Sequence, residues 1–287
     1  MKSLIVAVLI AVSGCTGCKN DASADTDGNV RYLVVGMERS QRFGDCPGCE
    51  LDANRISSLL AKKFGYIGDT LISSNATKKA VVAKLRAGIA STPANGMFIF
   101  CYSGHGGQEY LGGTEPDGSD RQDEYLCLYD TYMLDDEIWD VVSKCKGRVF
   151  LYFDACHSAT MYRSVAQDII PVKKNMARTL QASNLVKSSG FFFDIQNKIP
   201  ASTMSVEAKD LASLRMLCWS GCKEIEYSYG SSYGGVMTNA LVKRWVKGIT
   251  YANLWKNIVS DVQSKQPTQH PVATSLGVSF DNVEAFK

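Results

Sequence analysis

Histidine is scarce in this sequence of 287 residues, standing only at positions 105, 157 and 270. So few imidazoles argue against a His-rich metal centre. No excess of one charge is present either. The 31 basic and 29 acidic residues leave a formal net charge of +2. No basic run stands out, so nucleic acid is not an implied partner. The N-terminal apolar stretch, Leu4 to Val12, is too short to cross a bilayer as a mature helix. No internal repeat is visible. What remains is 45% hydrophobic, ordinary for a globular protein and sufficient for a sizeable core in one large domain or two small ones.

Lys2 ahead of Leu4–Val12 reads as a secretory signal. Val12-Ser13-Gly14-Cys15 resembles the bacterial lipobox. That resemblance implies removal of residues 1–14 and a lipid on Cys15, with 15–29 as a small, polar, flexible tether. The expectation is an exported bacterial lipoprotein, held at a membrane on its periplasmic or cell-surface face. Cys46-Pro-Gly-Cys49 and Cys218-Trp-Ser-Gly-Cys222 could be paired bridges or, together, a four-thiolate zinc site. Cys101, Cys127 and Cys145 sit in or beside apolar runs and read as packed thiols.

Hydrophobic patterning gives strands at 31–37, 69–73, 97–102, 125–129, 148–153 and 214–219, with an edge strand at 271–275. Helical spacing appears at 51–64, 77–89, 134–145, 236–246 and 251–262. Residues 106–124 read as loop. The weakly periodic 163–211, rich in basic residues, reads as a long connector. Strands alternating with helices predict an α/β fold, a mainly parallel sheet with helices on both faces.

Two apolar runs stop abruptly at small and polar residues. One is Phe98-Ile-Phe-Cys-Tyr-Ser-Gly-His105-Gly-Gly, the other Val149-Phe-Leu-Tyr-Phe-Asp-Ala-Cys156-His-Ser. In open α/β sheets, catalytic groups gather where buried strands end. The pattern predicts a Cys156 nucleophile with a His105 base. His157, one residue on, falls on the other face of its strand.

Ser103-Gly104-His105-Gly106 and Asp154-Ala155-Cys156-His157-Ser158 together resemble the caspase-like cysteine peptidases, most closely the metacaspases. The resemblance covers about residue 31 to the C-terminus. It implies a caspase-like three-layer sandwich over 30–287, with 30–163 like the large subunit, 164–212 as connector and 213–287 like the small subunit. It implies an oxyanion hole from the Gly106 and Cys156 N–H groups. It also places Cys49, Asp52, Ser103 and Asp154 around the pocket for the residue before the scissile bond. Two carboxylates there favour Arg or Lys. Asp120, Asp135 and Asp136 match segments that bind activating Ca²⁺ in many metacaspases. Ala159 and the acid-free stretch after the nucleophile depart from that pattern. No cofactor is needed for the chemistry, and Ca²⁺ is an optional activator. The expected partners are proteins or peptides with Arg or Lys before the cut, and a membrane through the anchor. A monomer is expected. Lys173, Lys174, Arg178 and Lys187 are candidate self-cleavage points. A clostripain- or legumain-like peptidase, or a lapsed interaction module on the same fold, are the alternatives.

Overall fold

Six of the seven residues of Val30–Gly36 (β1) are buried, all but Arg31. Near-continuous burial is what a strand covered on both faces requires. The computed structural model describes residues 29–110, 122–157, 176–177, 214–223, 226–277 and 279–287, with backbone alone at 108–110, 122–123, 156–157 and 176–177. The lipobox, Cys15 and the tether therefore lie outside the described residues. Among those described, no helix is long and apolar enough to cross a membrane.

β1 pairs in parallel with Ile67–Ile72 (β2) on one side and Met97–Tyr110 (β3) on the other. Arg148–His157 (β6) continues the sheet in parallel beside β3, and Arg215–Ser220 (β8) beside β6. Val272–Leu276 (β11) closes that edge antiparallel to β8. Beyond Gly106, β3 turns to an antiparallel partner, Gln122–Cys127 (β4), which pairs with Tyr132–Leu134 (β5). A separate small ribbon holds Gly234–Gly235 (β10), Tyr229–Ser231 (β9) and Met176–Ala177 (β7).

Helices cover both faces. Lys78–Ser91 (α2) and Asp135–Val142 (α3) pack on one, with Val81, Leu85, Ile138 and Val142 against Phe98, Phe100, Leu151 and Phe153. Cys49–Ser58 (α1, continued by a π-helical turn to Lys63), Val236–Arg244 (α4) and Tyr251–Lys265 (α5) pack on the other. There Ala53, Ile56, Leu241, Leu254 and Ile258 meet Ile99, Phe150, Tyr152 and Trp219. Consecutive residues of β3 and β6 go to opposite faces, as the pleat dictates. Each fully buried large side chain contributes about 1.5–3 kcal/mol.

Two boundaries correct the sequence reading. Residues 106–110 are strand, because the backbone of 122–126 supplies ladder partners that no local pattern announces. β6 likewise runs on through His157. So His105 and Cys156 lie within paired backbone, one position before the last at which β3 and β6 run side by side. At the start of α4, the left-handed glycine is Gly234 (φ 95°).

Candidate active site

The strand register brings the two motifs together. Ser103 lies opposite Asp154, His105 opposite Cys156, and Gly106 opposite His157. Parallel neighbours are about 4.8 Å apart. Period-two alternation puts Cys101, Ser103 and position 105 on the α1–α4–α5 face of β3, and Tyr152, Asp154 and position 156 on the same face of β6.

His105 is 4% exposed, and its Nε2 sits 3.1 Å from the Asp45 carbonyl oxygen. A carbonyl only accepts, so Nε2 carries the proton and Nδ1 is the acceptor in the neutral ring. Asp45 belongs to the loop between β1 and α1, which the sequence reading did not connect with the histidine. Tyr102 steadies the histidine's backbone: its hydroxyl reaches the carbonyls of His105 (2.7 Å) and Cys127 (2.6 Å). Gly104 is required here, since a Cβ would lie 2.4 Å from that hydroxyl. Its role in the described structure is to admit the tyrosine.

Asp52 enters from α1. Gly36 ends β1 opposite Ser103, and a Cβ on it would lie 2.6 Å from Ala53 Cβ and the Cys49 carbonyl. The bare glycine lets the start of α1 sit against the sheet. Asp52 is fully buried; its carboxylate accepts from Ser103 Oγ (2.8 Å) and from the Gly235 N–H (3.0 Å to each oxygen). Cys49 Sγ is also buried, 2.8 Å from Cys46 Sγ, and both are thiols.

Asp154 is equally buried. Ser228 Oγ donates to its Oδ1 (2.7 Å), while the Thr238 N–H (3.0 Å) and hydroxyl (2.6 Å) donate to Oδ2. Burial, and then the charge of Asp154, pushes the Tyr152 phenol well up. It stays protonated and donates to Thr238 Oγ1 at 3.1 Å. Buried Gln269 orders the other side. Its Oε1 accepts the Tyr229 N–H (3.1 Å), so its Nε2 donates to the Gly221 carbonyl (2.8 Å) and to Ser228 Oγ (3.0 Å). The Ser228 proton is thereby left for Asp154. These donors match what a buried carboxylate needs. Sequence reasoning did not place Thr238 at the site and missed Ser228 and Gln269. Neither stands in a periodic pattern.

Other expectations resolve plainly. Among the described residues no three His, Cys, Asp or Glu side chains gather as a metal site, so no four-thiolate cluster forms there. Cys101, Cys127 and Cys222 are packed, and burial pushes their thiols up. Asp120 lies outside the described residues. Asp135 is buried at the first turn of α3 and accepts the Asp136 N–H at 2.9 Å. Asp135 and Asp136 supply far fewer than the six to eight oxygens that Ca²⁺ takes. A groove of about 530 Å³ between β11 and α5, lined by Trp219, Tyr251, Trp255 and Phe280, contains none of the candidate residues.

Comparison with known proteins agrees with this fold. Residues 31–281 match the family model described as the caspase domain. Metacaspase-1A of Aspergillus niger is 24% identical over 85% of this chain and 69% of its own length. Metacaspase-1 of Schizosaccharomyces pombe is 26% identical over 75% of this chain and 58% of its own. In fold, the chain resembles the crystal structure of a Geobacter sulfurreducens protein (TM-score 0.65, 22% identity, 90% of this chain and 98% of that one). It also resembles caspase-1 from Spodoptera frugiperda (TM-score 0.53, 13% identity, 93% and 94%). The chain thus belongs to the caspase-domain family of cysteine-type peptidases, with metacaspases among its relatives.

Proposed function

We propose that this protein is a cysteine endopeptidase that cuts after Arg or Lys. The observation that carries the reading is the register: His105 opposite Cys156, with the His105 Nε2–H turned to the Asp45 carbonyl. Nδ1 is then the basic nitrogen. It takes the Cys156 thiol proton, and the thiolate attacks the substrate carbonyl carbon. The oxyanion is met by the N–H groups of Gly106 and Cys156. The imidazolium returns the proton to the leaving amine, and water hydrolyses the thioester. Asp52 and Asp154, with Ser103 between them and Cys49 beside Asp52, give the end of the sheet a negative field. That field favours a cationic side chain and disfavours an acidic one.

Anchoring through a lipid on Cys15, activation by Ca²⁺ through Asp120, Asp135 and Asp136, and action as a monomer complete the reading. The test is hydrolysis of matched fluorogenic peptides ending in Arg, Lys or Asp, with and without Ca²⁺. Arg and Lys peptides should be cut at least about a hundredfold faster than Asp, equivalent to some 2.7 kcal/mol. Cys156→Ala should abolish cutting of all three. Preferential cutting after Asp, or a fully active Cys156→Ala, contradicts the proposal.

A further inference from the structure

Cys46-Pro47-Gly48-Cys49 leads from the loop after β1 into α1, and its sequence sets its shape. Proline in the second place and a left-handed glycine in the third (Gly48, φ 89°) are the residues that a type II turn takes. The Cys49 N–H closes the turn on the Cys46 carbonyl at 3.3 Å. Glu38 clamps it from outside. Its carbonyl accepts the Cys46 N–H (2.7 Å), and its Oε2 accepts the Gly48 N–H (3.1 Å). A Cβ at position 48 would lie 2.1 Å from the Ser231 carbonyl oxygen, so the turn also packs closely against the small ribbon.

The two cysteines therefore stand at the ends of one tight turn, whose first and fourth Cα atoms are within about 7 Å. Disulfides usually span about 4.4–6.8 Å between Cα atoms. The two sulfurs are 2.8 Å apart. A bond of about 2.0 Å needs them to close by less than about 1 Å. Other buried thiols turn elsewhere: Cys145 Sγ faces the Arg148 carbonyl at 4.0 Å, and Cys222 Sγ the Glu226 carbonyl at 3.4 Å. Cys46 and Cys49 are aimed at each other. Both are buried, but Gly44, Asp45 and Pro47 beside them are exposed. Local opening of that stretch admits a small reagent.

We propose that Cys46 and Cys49 are a redox modification site, a dithiol that a low-molecular-weight disulfide converts to an intramolecular bond. One cysteine's thiolate attacks a sulfur of the small disulfide and releases half of it as a thiol. The second cysteine's thiolate then displaces the other half. Two S–H bonds are lost and one S–S bond forms. The two protons and two electrons leave with the small disulfide, now two thiols. Excess dithiol reverses the exchange. Asp45, just before the turn, meets His105 through its carbonyl, and Asp52, one helical turn beyond it, accepts from Ser103. The bond pins the segment that presents both. Its consequence for His105 rests on the cysteine-peptidase reading, whereas formation of the bond does not.

The full chain carrying Cys156→Ala, alone and together with Cys46→Ser, is treated with oxidised glutathione and then, in a second sample, with dithiothreitol. Removing Cys156 keeps its own adducts out of the readout. Trypsin cuts after Arg42 and Arg55, so one peptide, residues 43–55, contains both cysteines. The expected result is that this peptide becomes lighter by two hydrogens and resists alkylation after unfolding. Dithiothreitol should restore both thiols, and the wild type should give the same peptide. Oxidation should raise Tm by about 3–5 °C, as closing a short loop does in a chain of this size. Amide exchange across residues 44–50 should slow with it. Neither change should occur when Cys46→Ser is present. A peptide that keeps both thiols or carries glutathione on either overturns the proposal, as does a bond that moves neither Tm nor exchange. No readout needs peptidase activity, so a chain that forms this bond and cuts no peptide would refute the functional reading and leave the site standing.

Discussion

On the face covered by α2 and α3, β3 and β6 stay apolar through Phe98, Phe100 and Tyr102 and through Leu151, Phe153 and Ala155. On the face covered by α1, α4 and α5, the same two strands start alike, with Ile99, Cys101, Phe150 and Tyr152. They then change to Ser103, His105 and Asp154. The difference comes from the pleat alone, since neighbours in sequence go to opposite sides. One face can therefore carry stability without interruption while the other carries buried polar groups. Those groups cost free energy unless matched, and the matching comes from outside the two strands. Asp45 meets His105 and Asp52 meets Ser103, while the C-terminal third of the chain supplies the rest through Gly235, Thr238, Ser228 and Gln269. That segment is tied to the chemistry because its donors hold the two carboxylates.

Adjacent residues test this contrast most strongly. Phe153 is fully buried and meets Phe100 edge-on at 5.8 Å. Phe153→Ala should cost about 3–5 kcal/mol in urea unfolding, with kcat/KM of the folded protein little changed. Asp154→Asn, one residue on, should cost less, about 1–3 kcal/mol, by setting an amide among hydroxyl and N–H donors. It should instead lower kcat/KM for Arg peptides about a hundredfold, as loss of a charge partner worth ~3 kcal/mol would. Equal effects of the two changes on both readouts would erase the distinction between the faces.

A smaller effect comes from outside the sheet. Asp261 on α5 is held by Arg244 and Lys243 of α4, and hydrogen bonding from Arg244, chiefly, lowers its carboxyl from 3.8 to about 2. The lowered value means that the stabilisation is present above about pH 4 and is lost as pH falls towards 2. Lys243 and Arg244 are reached by solvent, so the effect is modest. Asp261→Asn should lower Tm by about 2 °C at pH 7, with the difference from wild type vanishing near pH 2. Peptide cutting at neutral pH should be unchanged. A variant as stable as wild type at pH 7 would remove this link between α4 and α5.

His105 and Cys156 could be picked out in the sequence because buried strands end there in abrupt changes of residue type. Cys49, Asp52, Ser103 and Asp154 could be named only through the family resemblance. The partners could not. Asp45 acts through its carbonyl, so its residue type says nothing. Ser228 and Gln269 act through hydrogen bonds across 74 and 41 residues of sequence, with no periodicity to mark them. The extension of β3 past Gly106 was hidden for a similar reason. Gly106 and Gly107 read as loop until β4 is beside them, and a Cβ on Gly107 would lie 2.5 Å from the Tyr125 ring. Local patterning reports what a residue wants from its neighbours in sequence. These residues are placed by neighbours in space.

The central claim is that one thiol among ten cysteines is chemically singled out. Timed alkylation with iodoacetamide at pH 7, followed by peptide mapping and assay of an Arg peptide, tests it directly. Cys101, Cys127 and Cys222 are buried and their thiols pushed up, so they should stay unmodified in the folded protein. The account predicts that Cys156 is modified ahead of these thiols and that activity falls in proportion to its modification. Activity that survives complete alkylation of Cys156 would contradict it.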